Sequence, residues 1–570
     1  MENFGLHMLV GRWFMFFASI LILSVAGGTY IFGLYSEEVK ISLGYDQTTL
    51  NLLGFFKDLG ANVGIISGLI NEVTPPWVVI LLGAFMNFFG YFSIWLAVTK
   101  KLSNPKVWEM CFCIFIGANS QTFVNTGVIV TCVKNFPESR GIVIGLLKGF
   151  VGLSGAILTQ LYHAFYGSDG KSLILLIAWV PTVVSCVLLR VIRIMKVNKQ
   201  ENEIRIFYQL LFMSFGLAGF LMAIIVVENR VEFGAIGYWL TAGTILVLLC
   251  APIVLVFREE LNLWDVKKRS LSHTVEIKVD EIERPLQCSA AVVVPINDQK
   301  EHVSFFQDVF KPPERGEDYT ILQAVLSVDM LILFIATIFG AGGLLTAMDN
   351  LGQIGKALGY PKTSITTFVS LVSIWGYLGR VGSGFASEIF LEKYKFPRPL
   401  MLTIVLFFSG LVHVLIALGV PNTLYVASVL IGLCFGALWP LIFAIISEIF
   451  GLKHYSTLLN FGGAASPIGA YIFNVKVAGN LYDREAMKQM AAHGIIRKRG
   501  EDLTCTGVEC YKLAFLIIAA STFVGFIVSL VLVIRTFKFY KGDIYKKFRE
   551  QAKAVDAAES QSRTNGDAPL

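Results

Sequence analysis

Apolar stretches of bilayer length recur through almost the whole chain, and no other feature of the sequence restricts its fold as tightly. A hydrocarbon core takes roughly 20 apolar residues per crossing helix. Inside it each backbone N–H and C=O must find its partner within protein, which leaves helices or closed barrels. The runs are Trp13–Tyr35, Thr49–Ile70, Trp77–Val98, Trp108–Val133, Gly141–Phe165, Ser172–Ile192, Phe207–Val227, Ile236–Phe257, Leu326–Met348, Ser364–Ile389, Leu400–Leu418, Thr423–Ile449, Ser456–Val477 and Lys512–Ile534. They are too long and continuous for barrel strands, so the chain reads as an all-α polytopic membrane protein.

The runs group as six, then two, then a polar insert, then six. The organisation predicted is a helical bundle over residues 1–200, two added helices over 201–257 and a polar cytosolic loop over 258–325. A second bundle follows over 326–536, and a cytosolic disordered tail over 537–570. Charged residues make up 15% of the chain, against about 25% in soluble domains. The deficit excludes a disordered protein and an ordinary water-soluble enzyme. A net charge of +6 is no nucleic-acid signal.

Lys and Arg in the loops set the orientation. With the N-terminus inside, the cytosolic segments collect Lys134, Arg140, Arg190, Arg193, Lys267, Lys268, Arg269, Lys393, Lys395, Arg398, Lys538 and Lys541. Lys100, Lys101, Lys106 and Arg497-Lys498-Arg499 run against the trend. The majority places both termini in the cytosol. The first apolar run is too long for a signal-peptide core and reads as the first span. Most cysteines lie inside apolar runs, but Cys505 and Cys510 share the last non-cytosolic loop, as a short disulfide or as two free thiols.

The two six-run blocks repeat one another. Gly64-Ile65-Ile66-Ser67-Gly68 leads to Glu72, and Arg380-Val381-Gly382-Ser383-Gly384 leads to Glu388, 316 positions later. Gly117 and Gly432 fall at nearly the same offset, as do Ser154-Gly155 and Ile468-Gly469. Repeated halves with a site between them at mid-membrane are the mark of many secondary transporters.

Gly379-Arg380-Val381-Gly382-Ser383-Gly384-Phe385-Ala386-Ser387-Glu388, followed by Lys393, Lys395 and Arg398, resembles a helix end and basic loop of the major facilitator superfamily. Asn135-Phe136-Pro137-Glu138-Ser139-Arg140-Gly141 resembles its loop between helices four and five. Gly27-Gly28-Thr29-Tyr30, Lys57-Asp58-Leu59-Gly60 and Gly145-Leu146-Leu147-Lys148-Gly149-Phe150 resemble the plant nodulin-like branch, which includes nuclear-fusion-defective-type proteins. The second half is similar to oxalate/formate antiporters. The resemblance implies two six-helix bundles of the major-facilitator type plus two extra central helices, a plasma membrane or an endomembrane, and no cofactor. The first half departs from the superfamily at Asn71-Glu72-Val73-Thr74-Pro75-Pro76, which lacks the usual Asp and basic residues.

Ionisable groups inside spans are costly and are functional candidates by default. Arg380 carries the strongest case, because its guanidinium stays charged and grips carboxylates in a bidentate manner. The resemblance associates this arginine with anion binding; pairing with a buried acid, such as Asp329 or Asp58, is the structural alternative. Lys148, set among Gly145, Gly149 and Gly152, either faces substrate or snorkels. Lys57 and Asp58 are adjacent, so one is expected to line a cavity while the other packs. Lys476 lies near a span end, where snorkelling competes with substrate contact. Asn119, Thr122 and Thr126 share one helical face, which lines water or another helix. Glu72 and Glu388 read as gate or cap residues. His163 and His413 near span ends are structural or, less often, proton relays.

Two functions follow. One is a secondary active transporter of a small solute, an organic anion if Arg380, Lys148 and Lys57 share one cavity, coupled to protons or a counter-anion. The other is a transport-inactive receptor or scaffold acting through the cytosolic loop. No metal cluster, nucleophile elbow or phosphate loop supports an enzyme. The sequence sets no oligomeric state and names no partner beyond solute and lipid bilayer.

Overall fold

A computed structural model describes residues 4–280, 312–492 and 505–546, apart from positions 46, 103–104, 168, 196–201, 229–230 and 232. It is helical. The first half comprises α1 (Phe4–Val10), α2 (Arg12–Val25), α3 (Phe32–Leu43), α4 (Gln47–Asn62), α5 (Ile65–Val73), α6 (Pro76–Val98), α7 (Val107–Asn135), α8 (Arg140–Tyr166) and α9 (Gly170–Leu188). An added group follows: α10 (Glu203–Glu228), α11 (Ala235–Cys250) and α12 (Pro252–Asp280). The second half comprises α13 (Ile321–Val325), α14 (Val328–Ala357), α15 (Lys362–Tyr394), α16 (Arg398–Leu418) and α17 (Thr423–Ile449). It continues through α18 (Tyr455–Gly463), α19 (Ala465–Ala470), a π-helical run Tyr471–Gly479, α20 (Asn480–Ala492) and α21 (Glu509–Lys541).

Among the described residues, 12 helical stretches are long and apolar enough to cross a membrane. The 33-residue α15 and the interrupted run from α18 through Tyr471–Gly479 stand outside that number. They fill the second and fifth places of the second half, so the six-two-six order is kept. Local chemistry marks many ends. Pro76 opens α6, the Thr320–Gln323 capping box opens α13, and left-handed Gly44 and Gly419 close α3 and α16.

The first two expected spans are not continuous helices. The chain between α2 and α3 turns at Gly27 and Gly28, where a Cβ on Gly27 would collide with Ser154 of α8. The second run breaks at Val63-Gly64, and Asn119 of α7 donates its amide to Gly60 O at 2.8 Å and Val63 O at 2.6 Å. A side chain thus replaces the lost helical donors, as a break inside a bilayer demands.

Two boundaries expected from composition move. The polar insert does not begin at Arg258, because α12 carries on as helix to Asp280. Glu260 is buried there and accepts the Trp13 N–H at 3.1 Å, while Phe4 packs edge-on against Phe257 and Trp264. Nor does a loose tail begin at 537. The last helix runs to Lys541, and Tyr545 folds back among the helix ends. Residues 281–311 of the insert and 547–570 of the tail lie outside the described residues.

The halves meet where α8 crosses α15. A Cβ on Gly384 would sit 2.5 Å from Gly141 O and 2.8 Å from the Gly145 Cα, so only glycine permits this spacing. The second junction is α5 against α18. The added helix α10 lies over the seam and touches both sides: Ser214 accepts the Tyr377 hydroxyl at 2.7 Å, and α10 also packs on α8.

Candidate functional site

Two polar layers tie the halves together. The first lies on the side of the molecule that carries both described chain ends. Glu72, at the end of α5, accepts the Thr457 N–H at 3.1 Å and the Ser456 hydroxyl at 3.2 Å, and its other oxygen lies 2.6 Å from His454 Nδ1. These three residues begin α18, whose first N–H groups have no partner within the helix. A carboxylate there satisfies a donor and complements the helix dipole. Glu388, at the equivalent place in α15, accepts the Gly141 N–H at 3.0 Å at the start of α8. Each half therefore caps a helix of the other.

Behind Glu388 stands a charge network. Arg398, with 0% of its side chain exposed, pairs with Glu388 at 2.6 Å and Glu448 at 2.6 Å, and also contacts Ser387. Tyr540 donates to Glu448 at 2.8 Å. The Tyr545 hydroxyl lies 2.9 Å from Glu388 and 3.1 Å from Glu448, and Arg398 donates to it at 3.1 Å. Burial, together with Glu388 and Glu448, holds the Tyr545 phenol well above its usual range. From the first half, Arg140 donates to Ser447 O at 2.8 Å and places its guanidinium over the Tyr545 ring. A buried network of this kind is strong only while complete, since removing one partner strands a charge.

The second layer lies deeper in the seam. Arg380 on α15 is 7% exposed, and its guanidinium occupies the space left beside Gly152 of α8. Lys148 on α8 reaches toward α17, with its ammonium 4.9 Å from the Phe443 ring centre and 5.9 Å from that of Trp439. The two cations are close enough to repel one another. Neither forms an ion pair with a described carboxylate within 4.0 Å. Among the described residues, two basic side chains from opposite halves thus lie in the seam without a carboxylate in ion-pair reach.

Lys57 does not join them. It pairs with its neighbour Asp58 at 2.8 Å, and its ammonium lies 5.2 Å from the Phe32 ring centre. The Lys57 side chain is largely covered and that of Asp58 more open, and the two are paired with one another. The single cavity suggested for Arg380, Lys148 and Lys57 therefore reduces to the first two. Lys476 lies in the π-helical run with its ammonium 5.5 Å from the Tyr471 ring centre, exposed and apart from Arg380. Asn119 is the partner of the α4–α5 break, and Thr122 donates to Asn119 O at 2.6 Å. Thr126 meets Ser67 at 2.9 Å and accepts from Asn460 at 2.8 Å, so this stripe faces helices of both halves. His163 stacks on Tyr238, and His413 is buried against Gly343, Phe515 and Ile518. Cys505 and Cys510 are joined as a disulfide.

Sequence reasoning missed Asp349, on α14, which lies near Lys57 and Asp58 and accepts from Asn474 at 3.1 Å. It also took Arg398 for a loop charge. The signal for Asp349 was present: an acid one residue past an apolar run that is too short for its helix.

A family model described as Nodulin-like matches residues 12–257, and one described as NFD4, C-terminal domain matches residues 317–542. The fold is shared with the major facilitator proton:xylose symporter XylE, with a TM-score of 0.52 and 12% identity over 93% of this chain and 96% of that one. The chain carries matches to Nodulin-like in its first half and to the NFD4 C-terminal domain in its second, on the fold of the major facilitator transporters. The gap between the two family matches coincides with the polar insert. A bacterial homologue of the iron transporter ferroportin, in an outward-facing state, gives a TM-score of 0.52 at 11% identity, covering 92% of this chain and 99% of that one. Among nodulin-like relatives, Protein NUCLEAR FUSION DEFECTIVE 4 of Arabidopsis thaliana is 25% identical over 93% of this chain and 89% of its own length. Probable transporter MCH1 of Wickerhamomyces anomalus is 20% identical over 82% of this chain and 78% of its own.

Proposed function

We propose that this multi-pass membrane protein is a secondary active transporter of a small organic anion, working by alternating access between its two halves. The observation that carries the reading is the pair Arg380 and Lys148, contributed from opposite sides of the seam, with no carboxylate in ion-pair reach among the described residues. An anion bound there touches both halves at once, so its presence biases how they sit. The reciprocal caps of Glu72 and Glu388 close the seam on the side of the chain ends. With both termini cytosolic, as the loop charges favour, the structure is closed toward the cytosol. The relatives' names, a probable transporter and a proton symporter of the same fold, support transport as the class. The plasma membrane is the favoured site, and protons or a counter-anion are the coupling partners.

Purified protein in lipid vesicles is given labelled small mono- and dicarboxylates. Saturable uptake or exchange is expected, lost in Arg380→Ala and Lys148→Ala while both variants stay monodisperse, and partly kept in Arg380→Lys. Uptake indifferent to both alanine changes would sink the assignment.

A further inference from the structure

Asp349 stands apart from every group assigned so far. It lies eight residues before the end of α14, about 12 Å from that end and one position past the apolar run of the helix. It forms no ion pair with a described cation within 4.0 Å. Its hydrogen-bond partner is a neutral amide: Asn474 donates to Oδ2 at 3.1 Å, and Asn350 in turn donates to Asn474 Oδ1 at 2.8 Å and to Thr346 O at 2.8 Å. This chain of amides fixes the carboxyl in place. Asn474 belongs to the π-helical run Tyr471–Gly479, and such irregular turns gather at functional sites.

Among the described residues, the charges that act on Asp349 are Asp58 and Lys57 of α4, from the opposite half. Lys57 is already committed to Asp58 at 2.8 Å, so that pair carries no net charge and leaves Asp349 uncompensated. The side chain is exposed in this structure. A carboxylate near a span end without a cation partner is costly to ionise, and acids so placed mark ion paths and proton relays.

We infer that Asp349 is a proton-binding site facing Asp58 and Lys57 across the seam, loaded when the seam opens on the side away from the chain ends. Its use in coupling rests on the transport reading; its binding of a proton does not.

Full-length protein in lipid vesicles is examined by infrared difference spectroscopy between alkaline and acidic buffer. The acid-minus-alkaline spectrum of the isosteric Asp349→Asn is subtracted from that of the parent, so that the other carboxyls of the 41 Asp and Glu cancel. A residual protonated-carboxyl band is expected, and again when both are compared in the Asp58→Asn background; Asp349→Glu should move it and Asn474→Ala should alter its frequency. No residual band in that subtraction overturns the proposal. Should Asp349→Asn fail to fold, an unmoved band in Asp349→Glu overturns it equally. If anion uptake fails while the band behaves as expected, the anion reading falls and the proton site stands.

Discussion

Glu72 and Glu388 stand at equivalent ends of α5 and α15, 316 positions apart, and each accepts a backbone N–H that begins a helix of the opposite half. The closure is thus symmetric in design and unequal in strength. Among the described residues, Glu72 has His454 alone within ion-pair reach, whereas Glu388 is backed by Arg398 within a buried network.

Neutralising the first cap should therefore cost less than deleting the second. Glu72→Gln removes a charged cap worth about 1 kcal/mol, so the closed population should fall about fivefold. Glu388→Ala strands buried Arg398 and should cost about 3–5 kcal/mol. Spin-label distances between α5 and α18 report the closed fraction, and equal effects from the two variants would contradict this ranking.

The crossing of α8 and α15 tolerates no side chain. Gly384→Leu places atoms where Gly141 O and the Gly145 Cα already lie. The expected outcome is a folded protein that cannot shut on the side of its termini and does not turn over. Thiol labelling of a cysteine placed near Ser447 should become fast in this variant, and slow labelling with normal transport would refute the claim.

Asn119 satisfies two carbonyls at the break between α4 and α5. Asn119→Leu leaves them unpaired in an apolar setting, at a cost of about 1–3 kcal/mol each. The melting temperature in detergent should fall clearly, and anion affinity should change less than it does in Arg380→Lys. An unchanged melting temperature would remove Asn119 from this role.

Tyr545 makes the closed state sensitive to alkali. Its phenol is held protonated in the folded gate, above the usual value near ~10. A raised folded value means that its stabilisation is complete below ~10 and is lost as pH climbs through the folded value. Tyr545→Phe should lower the closed fraction severalfold at neutral pH and flatten its alkaline loss. The spin-label distance measured across pH tests both.

The spans, the six-two-six order and the equivalence of Glu72 and Glu388 were legible because hydropathy and repetition are properties of the chain itself. The pairings were not. Arg398 reads as one more basic loop residue until Glu388 and Glu448, 10 and 50 positions away, close on it. Lys57 and Asp58 looked divergent because helical spacing describes Cβ directions, not the reach of a lysine. The π-helical turn around Asn474 leaves no mark on composition, and Asp349 was lost by ending a span at Met348. Gly27-Gly28 and Gly64 lie inside runs that hydropathy reads as continuous spans, and the donor that mends the second break comes from α7, which local sequence does not name.

The contacts of the first span carry a consequence for how the protein is made. Arg12 is buried with Glu203, 191 positions later, and the start of α2 is closed by Glu260, which arrives later still. At about 5–20 residues per second, the ribosome delivers Glu203 about 10–40 s after Arg12. Through that interval the Arg12 charge has the Asn135 carbonyl and the Phe136 ring to meet but no carboxylate partner. Biogenesis of the first bundle therefore completes only when α10 and α12 have entered the bilayer. A chain split for co-expression should reassemble when cut within 281–311 and fail when cut ahead of α10.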